Sequence, residues 1–429
     1  MRTPRKWLVV MFSTLVALTA ACGGGGSGSG VAAGGPVTLS WWHNGTTDPV
    51  KSTWQQVADA YHKAHPDVSF QIDPIQNEDF TTKMPLALQS ANPPDIYQQW
   101  GGGNEASQIN SGKVADITDD VSGWISELGN AAQRWQVNGR QYGVPYDVHV
   151  VGFWYRKDIF ARAGITGTPS TMDQFYADVA TLRQHGIQPV AIGSKDQWPD
   201  GFYWDYFALR ECSASTARAQ IDAHNLTDAC WIKAGNDVTT LLSHNPFQTG
   251  FLGTPAQQGA GSSAGLVANG QAAMELQGDW EPGTMASLTN DKNLVNDLGW
   301  FPFPTVPGGK GEAGAVLGGG DGFSCTTRAA SACVGFLQYI ASTPVQRTLA
   351  GIGSGLPANP AAASAITNPT LRQVLAYSQK APYLQNYFDI DLPTNIGQAL
   401  DAATANFFAG QGTAATVVQS VNQAATGGR

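Results

Sequence analysis

Side chains able to grip a flat, hydroxyl-rich solute recur along the chain. Of the 13 Trp, Trp42, Trp100, Trp198 and Trp280 stand at the ends of predicted strands or in loops with Gly, Pro or polar neighbours. Each has amides or carboxylates close by: His43 and Asn44 after Trp42, Gln99 before Trp100, Asp200 after Trp198 and Asp279 before Trp280. An indole face covers apolar C–H surface, while Asp, Asn, Gln and an indole N–H exchange hydrogen bonds with hydroxyls without any change of charge. Such chemistry binds a ring-shaped solute rather than transforming it. Asp147, on an extended stretch after Pro145, and Asp321, after Gly318-Gly319-Gly320, complete the polar candidates. The same residue types also have plainer uses. Asn44, Asp200 and Asp321 serve equally as turn or cap residues, and His43 as the partner of a core hydrogen bond. Trp54, Trp124, Trp135, Trp231 and Trp300 lie in helical or apolar surroundings and are expected in the core, with Trp204 a further cleft candidate.

Catalytic patterns are present only in form. Gly261-Ser262-Ser263-Ala264-Gly265 satisfies G-x-S-x-G, but a nucleophile elbow needs a preceding strand, and residues 253–259 have no strand character. Glu275, Asp279 and Glu281 form the one tight acidic group that could supply a glycosidase's pair of carboxylates. His62 and His65 lack an acidic third ligand and read as a solvated helix face, so neither a metal nor a cofactor is expected.

A formal charge of -9 and the absence of a Lys/Arg cluster beyond Arg2, Arg5 and Lys6 argue against nucleic acid. With 42% hydrophobic residues, 13% charged residues, 50 Gly and 24 Pro in 429 residues, the chain reads as globular and turn-rich. Residues 1–21 carry a basic start, an apolar run and small residues before Cys22, the layout of an export signal. The Ala20-Ala21-Cys22 step resembles a bacterial lipobox, with Thr19 where that motif usually has Leu, and implies a lipid on Cys22. Residues 22–36, rich in Gly and Ser, then form a tether. No other apolar run reaches the length of a membrane span. Cys212, Cys230, Cys325 and Cys333 allow three pairings; export and close spacing favour Cys212 with Cys230 and Cys325 with Cys333.

The candidates require an α/β frame. Residues 37–42 read as a strand, residues 54–61 as part of a helix, residues 66–72 as a second strand, residues 80–90 as a helix and residues 93–98 as a third strand. Alternation of this kind means βαβ units, and ligands of such sheets sit beyond the strands' carboxyl ends, here at His43-Asn44 and Gln99-Trp100. Asn138-Gly139 predicts a hairpin turn, and residues 144–147 an extended crossing.

In this order, residues 37–42, Ala64-His65-Pro66-Asp67-Val68, Pro93-Pro94-Asp95-Ile96, Tyr142-Gly143-Val144-Pro145-Tyr146, Trp154-Tyr155-Arg156-Lys157-Asp158-Ile159-Phe160, Ala272-Ala273-Met274 with Gly278-Asp279-Trp280, and Leu356-Pro357-Ala358 resemble the carbohydrate-binding branch of the extracellular solute-binding proteins of ATP-driven importers. Arg156 stands where that family usually has Asn. The resemblance implies a two-lobed, periplasmic-binding-protein-like α/β fold, each lobe a mostly parallel sheet flanked by helices, closing around a sugar. It places residues 37–147 with 311–368 in one lobe and 148–310 with 369–429 in the other. Crossings are expected near 147–151, 303–316 and 365–375. Trp100 and Trp280 match positions where the family often has a stacking ring. Residues 394–398 lack the further Trp of maltose-type members, with Tyr383 and Tyr387 nearby instead. Similarity to actinobacterial xylo-oligosaccharide receptors implies a neutral ligand such as xylobiose. It also implies a monomer that is not an enzyme, contacts the membrane through its lipid and serves a permease. An exported hydrolase and a sugar-sensing subunit are the competing classes.

Overall fold

The computed structural model describes residues 35–427. The expected leader, Cys22 and most of the tether lie outside the described residues. Strand β1 (Val37–His43) alternates strictly, burying Leu39, Trp41 and His43 on one face. Helix α1 (Val50–Ala64) returns over that face because Trp54, Val57, Ala58 and Tyr61 recur at helical spacing. Strand β2 (Val68–Pro74) pairs with β1 in parallel, helix α2 (Asn77–Gln89) follows, and β3 (Ile96–Gln99) pairs on β1's other side before helix α3 (Gly102–Ile109). Trp41 is the centre of this lobe's core, edge-on to Trp54, Phe323 and Phe336 at 5.4, 5.2 and 5.1 Å.

Strands β4 (Gln136–Val137) and β5 (Arg140–Gln141) form the expected hairpin. Asn138 and Gly139 both have positive φ, 52° and 75°, as a type I′ turn requires. The chain then runs through β6 (Gly143–Pro145), β7 (Asp147–Val150) and β8 (Gly152–Arg156) into the second lobe, where β9 (Gln188–Ala191), β10 (Ala272–Gln277) and β11 (Leu298–Phe301) follow. β12 (Val316–Gly319) and β13 (Gly322–Cys325) return, and β14 (Leu356–Pro357) and β15 (Leu384–Asn386) complete the strands.

Besides the β4-β5 hairpin, the described residues form three larger sheets: β2-β1-β3-β13-β6 in the first lobe, β11-β8-β10-β9 in the second, and β14-β7-β12-β15 between them. The two-lobed α/β architecture is as expected, but the sheets are mixed rather than mostly parallel. β13 is antiparallel to both β3 and β6, and β8 to both β10 and β11, because chain returning from the other lobe enters each sheet in the opposite direction. β7, β12 and β14 pair side by side, and we place the crossings on these strands. We place the last crossing at Leu356–Pro357.

The second lobe's core is aromatic. Tyr206 stacks on Phe303 at 4.5 Å, and buried Arg210 donates to the carbonyls of Phe303, Pro304, Glu312 and Ala315, so its charge is solvated by backbone. The disulfides are those expected, Cys212–Cys230 and Cys325–Cys333, with Cα separations of 5.1 and 5.9 Å. The first joins the end of the Trp198–Glu211 helix to the start of the Ala229–Ser243 helix across 18 residues. Replacing both its cysteines with Ala should cost about 3 kcal/mol, read as a lower denaturant midpoint. Loss of the Cys325–Cys333 bridge, spanning 8 residues, should cost less. Among the described residues no helix is long and apolar enough to cross a membrane.

Candidate functional site

Loops from both lobes enclose a cavity of about 910 Å³, near the upper end of the usual range for ligand sites. The first lobe contributes the turns after β1, β2 and β3, including Asn44, Gln76, Glu78 and Trp100. The second contributes the turn after β9 with Lys195 and Trp198, the loop at Gln257, and Trp280 after β10. Strand ends thus face the cavity from both sides, as expected for α/β units. Its aromatic faces are held edge-on by neighbours: Trp100 by Phe80 at 5.6 Å, Trp198 by Phe202 at 5.2 Å and Trp280 by the His149 ring at 4.7 Å. The polar wall is mostly amide, hydroxyl and carboxylate, with the His149 imidazole; Lys195 is its one Lys or Arg among the described residues.

Where the lobes join, one buried histidine organises three carboxylates. His149 Nδ1 lies 2.8 Å from Asp279 Oδ1, and its Nε2 lies 3.1 Å from Asp147 Oδ1 and 3.5 Å from Asp321 Oδ2. Ionised carboxylate oxygens only accept, so this arrangement favours a ring protonated on both nitrogens. Burial pulls its pKa down, but the charges of Asp147 and Asp279 and their hydrogen bonds outweigh this and hold it well above the usual value. Burial pushes Asp147 up to about 7, with the His149 charge pulling it back and the Asp321 charge adding to the rise. Asp279 also accepts from the backbone N–H groups of Val150 and Leu356, so one carboxylate ties β7 to β14. Asp147, His149 and Asp321 bring three ligand atoms within 4.8 Å of one another. A metal there would have to displace the proton on His149 Nε2.

Of the residues singled out by sequence, Asn44, Trp100, Asp147, Trp198, Trp280 and Asp321 border the cavity. The other six do not, each for a local reason. Trp42 points to the opposite face of β1 from Trp41, against the cluster of Phe80, Met84 and Tyr97. His43 is buried edge-on to Trp41, accepts from the Gly45 N–H, and has its pKa lowered to about 3 by burial and the nearby Lys51. Gln99 is buried and accepts from the N–H groups of Trp100 and Gly101, shaping the turn that presents Trp100. Asp200 is buried, accepts the Ser194 hydroxyl at 2.6 Å and is pushed up to about 8 by burial. Asp279 lies behind the wall, holding His149. Tyr383 packs on the second lobe's core.

The catalytic patterns dissolve in the same way. Ser263 is buried, and its hydroxyl bonds to Glu275 and to the carbonyl of Ala256. Glu275, Asp279 and Glu281 are all buried behind the cavity wall. Trp204, fully buried, belongs to the second lobe's core, whereas Trp54, assigned to the core by its helical setting, also touches the cavity. The main residue missed is His149. Its signal was available, since a residue two along an extended strand from Asp147 shares its face. Tyr146 and Tyr387 also border the cavity; Tyr146 donates to Asp321 Oδ2 at 3.2 Å.

Residues 44–347 match the bacterial extracellular solute-binding protein family. An ABC transporter extracellular-binding protein of Pyrococcus horikoshii is 24% identical over 332 residues, 74% of this chain and 70% of that one. The diacetylchitobiose binding protein DasA of Streptomyces coelicolor is 27% identical over 316 residues, 70% of this chain and 69% of that one. A solved structure from work on xylan utilization by Caldanaerobius polysaccharolyticus superposes with a TM-score of 0.84 at 23% identity, covering 90% of this chain and 99% of that one. A chitin oligosaccharide binding protein superposes at 0.79 and 22% identity, covering 91% and 98%. With two lobes, a cavity between them and a match over residues 44–347, the chain belongs to the bacterial extracellular solute-binding protein family and is a binding protein, not an enzyme.

Proposed function

We propose that the protein is the sugar receptor of an ABC importer, capturing a neutral di- or oligosaccharide between its lobes and delivering it to a membrane permease. The observation that carries this reading is the cavity wall: the rings of Trp100, Trp198 and Trp280, presented from both lobes, among amides, hydroxyls and carboxylates. Ligand bridging both lobes binds the closed form better and shifts the population toward it. The names of relatives support a saccharide, since they include a diacetylchitobiose binding protein and a melibiose/raffinose/stachyose-binding protein. Within that class we favour xylobiose or a short xylo-oligosaccharide, a choice supported by the resemblance of the sequence to xylo-oligosaccharide receptors. The receptor acts as a monomer, held at the outer face of the cell membrane by a lipid on Cys22.

Calorimetry against xylobiose, xylotriose, diacetylchitobiose, raffinose and maltose tests this directly. Xylobiose or xylotriose should bind most tightly. Tighter binding of another sugar would overturn the xylan assignment, and no heat with any of them would overturn the saccharide reading. Sugar release from xylan fragments would make the protein a hydrolase instead.

A further inference from the structure

We propose that Glu78 is the latch of the cleft, a positioning residue that bonds across the rim to Trp198 and Gln258 and thereby sets how long a bound solute stays. Glu78 lies in the first turn of α2, in the first lobe, and its two carboxylate oxygens accept from different donors of the second. Trp198 Nε1 donates to Oε1 at 3.5 Å and Gln258 Nε2 to Oε2 at 3.2 Å. All three residues border the cavity. An indole has one donor, so the direction of its N–H sets the rotation of the ring. Trp198, packed edge-on to Phe202, is thus also met by Glu78 from across the cleft.

A second seam between the lobes is built differently. There Asn104 Nδ2 donates to Thr394 Oγ1 at 3.3 Å, and the Thr394 N–H donates to Ser107 Oγ at 3.2 Å. The backbones also touch: a Cβ on Gly103 would lie 2.3 Å from the Asp391 carbonyl oxygen, so only glycine fits. One seam is thus close-packed backbone. The other is two side-chain hydrogen bonds at a half-exposed rim, and it is the one that can be made and broken at low cost. The lobes part on the Glu78 side, and a solute leaves only after Glu78 lets go.

The test has two arms, the second resting on the saccharide reading above. Without sugar, small-angle scattering should give a larger radius of gyration for Glu78→Ala than for the parent. With the tightest-binding sugar of the panel, stopped-flow tryptophan fluorescence should show dissociation about tenfold faster in Glu78→Ala at little-changed association. Trp198→Phe keeps a ring and removes the donor; it should speed dissociation similarly, and the double variant should add little. Glu78→Gln keeps an acceptor and should restore most of the residence time, which loss of folding or bulk would not do. Unchanged dissociation and an unchanged radius of gyration in Glu78→Ala would overturn the latch. If no sugar binds, the saccharide reading falls and the scattering comparison alone decides the latch.

Discussion

Alanine in place of Trp280 should weaken binding of the tightest sugar by about thirtyfold, the effect of losing roughly 2 kcal/mol at a central aromatic anchor. The ring is pinned before any solute arrives. His149 supports it edge-on at 4.7 Å, and Gly278 lies so close beneath it that a Cβ there would meet the ring at 2.1 Å. A pre-set ring loses little freedom on binding, so its contact area converts efficiently into affinity. Trp280→Phe should recover part of the loss. Trp100→Ala, removing the facing lobe's platform, should cost about tenfold. Trp42→Ala is the control: Trp42 does not border the cavity, and calorimetry should find affinity close to the parent's. A Trp280→Ala variant that binds like the parent would show that the stacking platform is elsewhere.

The melting temperature should fall as pH is raised from 6.5 to 8.5. Burial pushes Glu105, Asp200 and Glu275 up to about 8 and Asp147 to about 7, while His149 is held well above its usual value. These groups keep protons in the folded state that the unfolded chain has released, so stability declines with pH. For His149 the contribution is full below its unfolded pKa, about 6.5, and is lost as pH rises through the folded value. For the carboxyls the cost of burial grows from their unfolded values, about 4, up to about 7 or 8. His43 runs the other way. With its pKa lowered to about 3, it costs stability only below about 6.5, so above that pH the shifts of these buried groups share one sign. A group fully engaged gives a slope of about 1.4 kcal/mol per pH unit. Asp200→Asn keeps the shape and removes one such group, so scanning calorimetry should show a shallower decline for it. A melting temperature that is flat or rising across this window would contradict the assignment.

Much of the frame was legible because it is local. The β-rich run of residues 37–42, the helical spacing of Trp54, Val57, Ala58 and Tyr61, and the Asn138-Gly139 turn are written in neighbouring residues, and each element formed where expected. The pairing of four cysteines followed from short spacing. Part of the cavity lining was also legible: Asn44 and Trp100 directly follow strands whose ends must face a cleft, and Trp280 matches a position where the resembled family often has a stacking ring.

Sequence alone thus determined the α/β pattern, the two lobes through the family resemblance, and the aromatic and amide character of the wall. Only the tertiary structure decided which polar residue touches the cavity and which stands behind it. Asp147 and Asp279 look alike in sequence, yet one faces the solute space and the other spends its oxygens on His149, Val150 and Leu356. The difference arises because the partners of Asp279 come from strands more than 70 residues away in sequence, and a buried carboxylate goes where such donors converge.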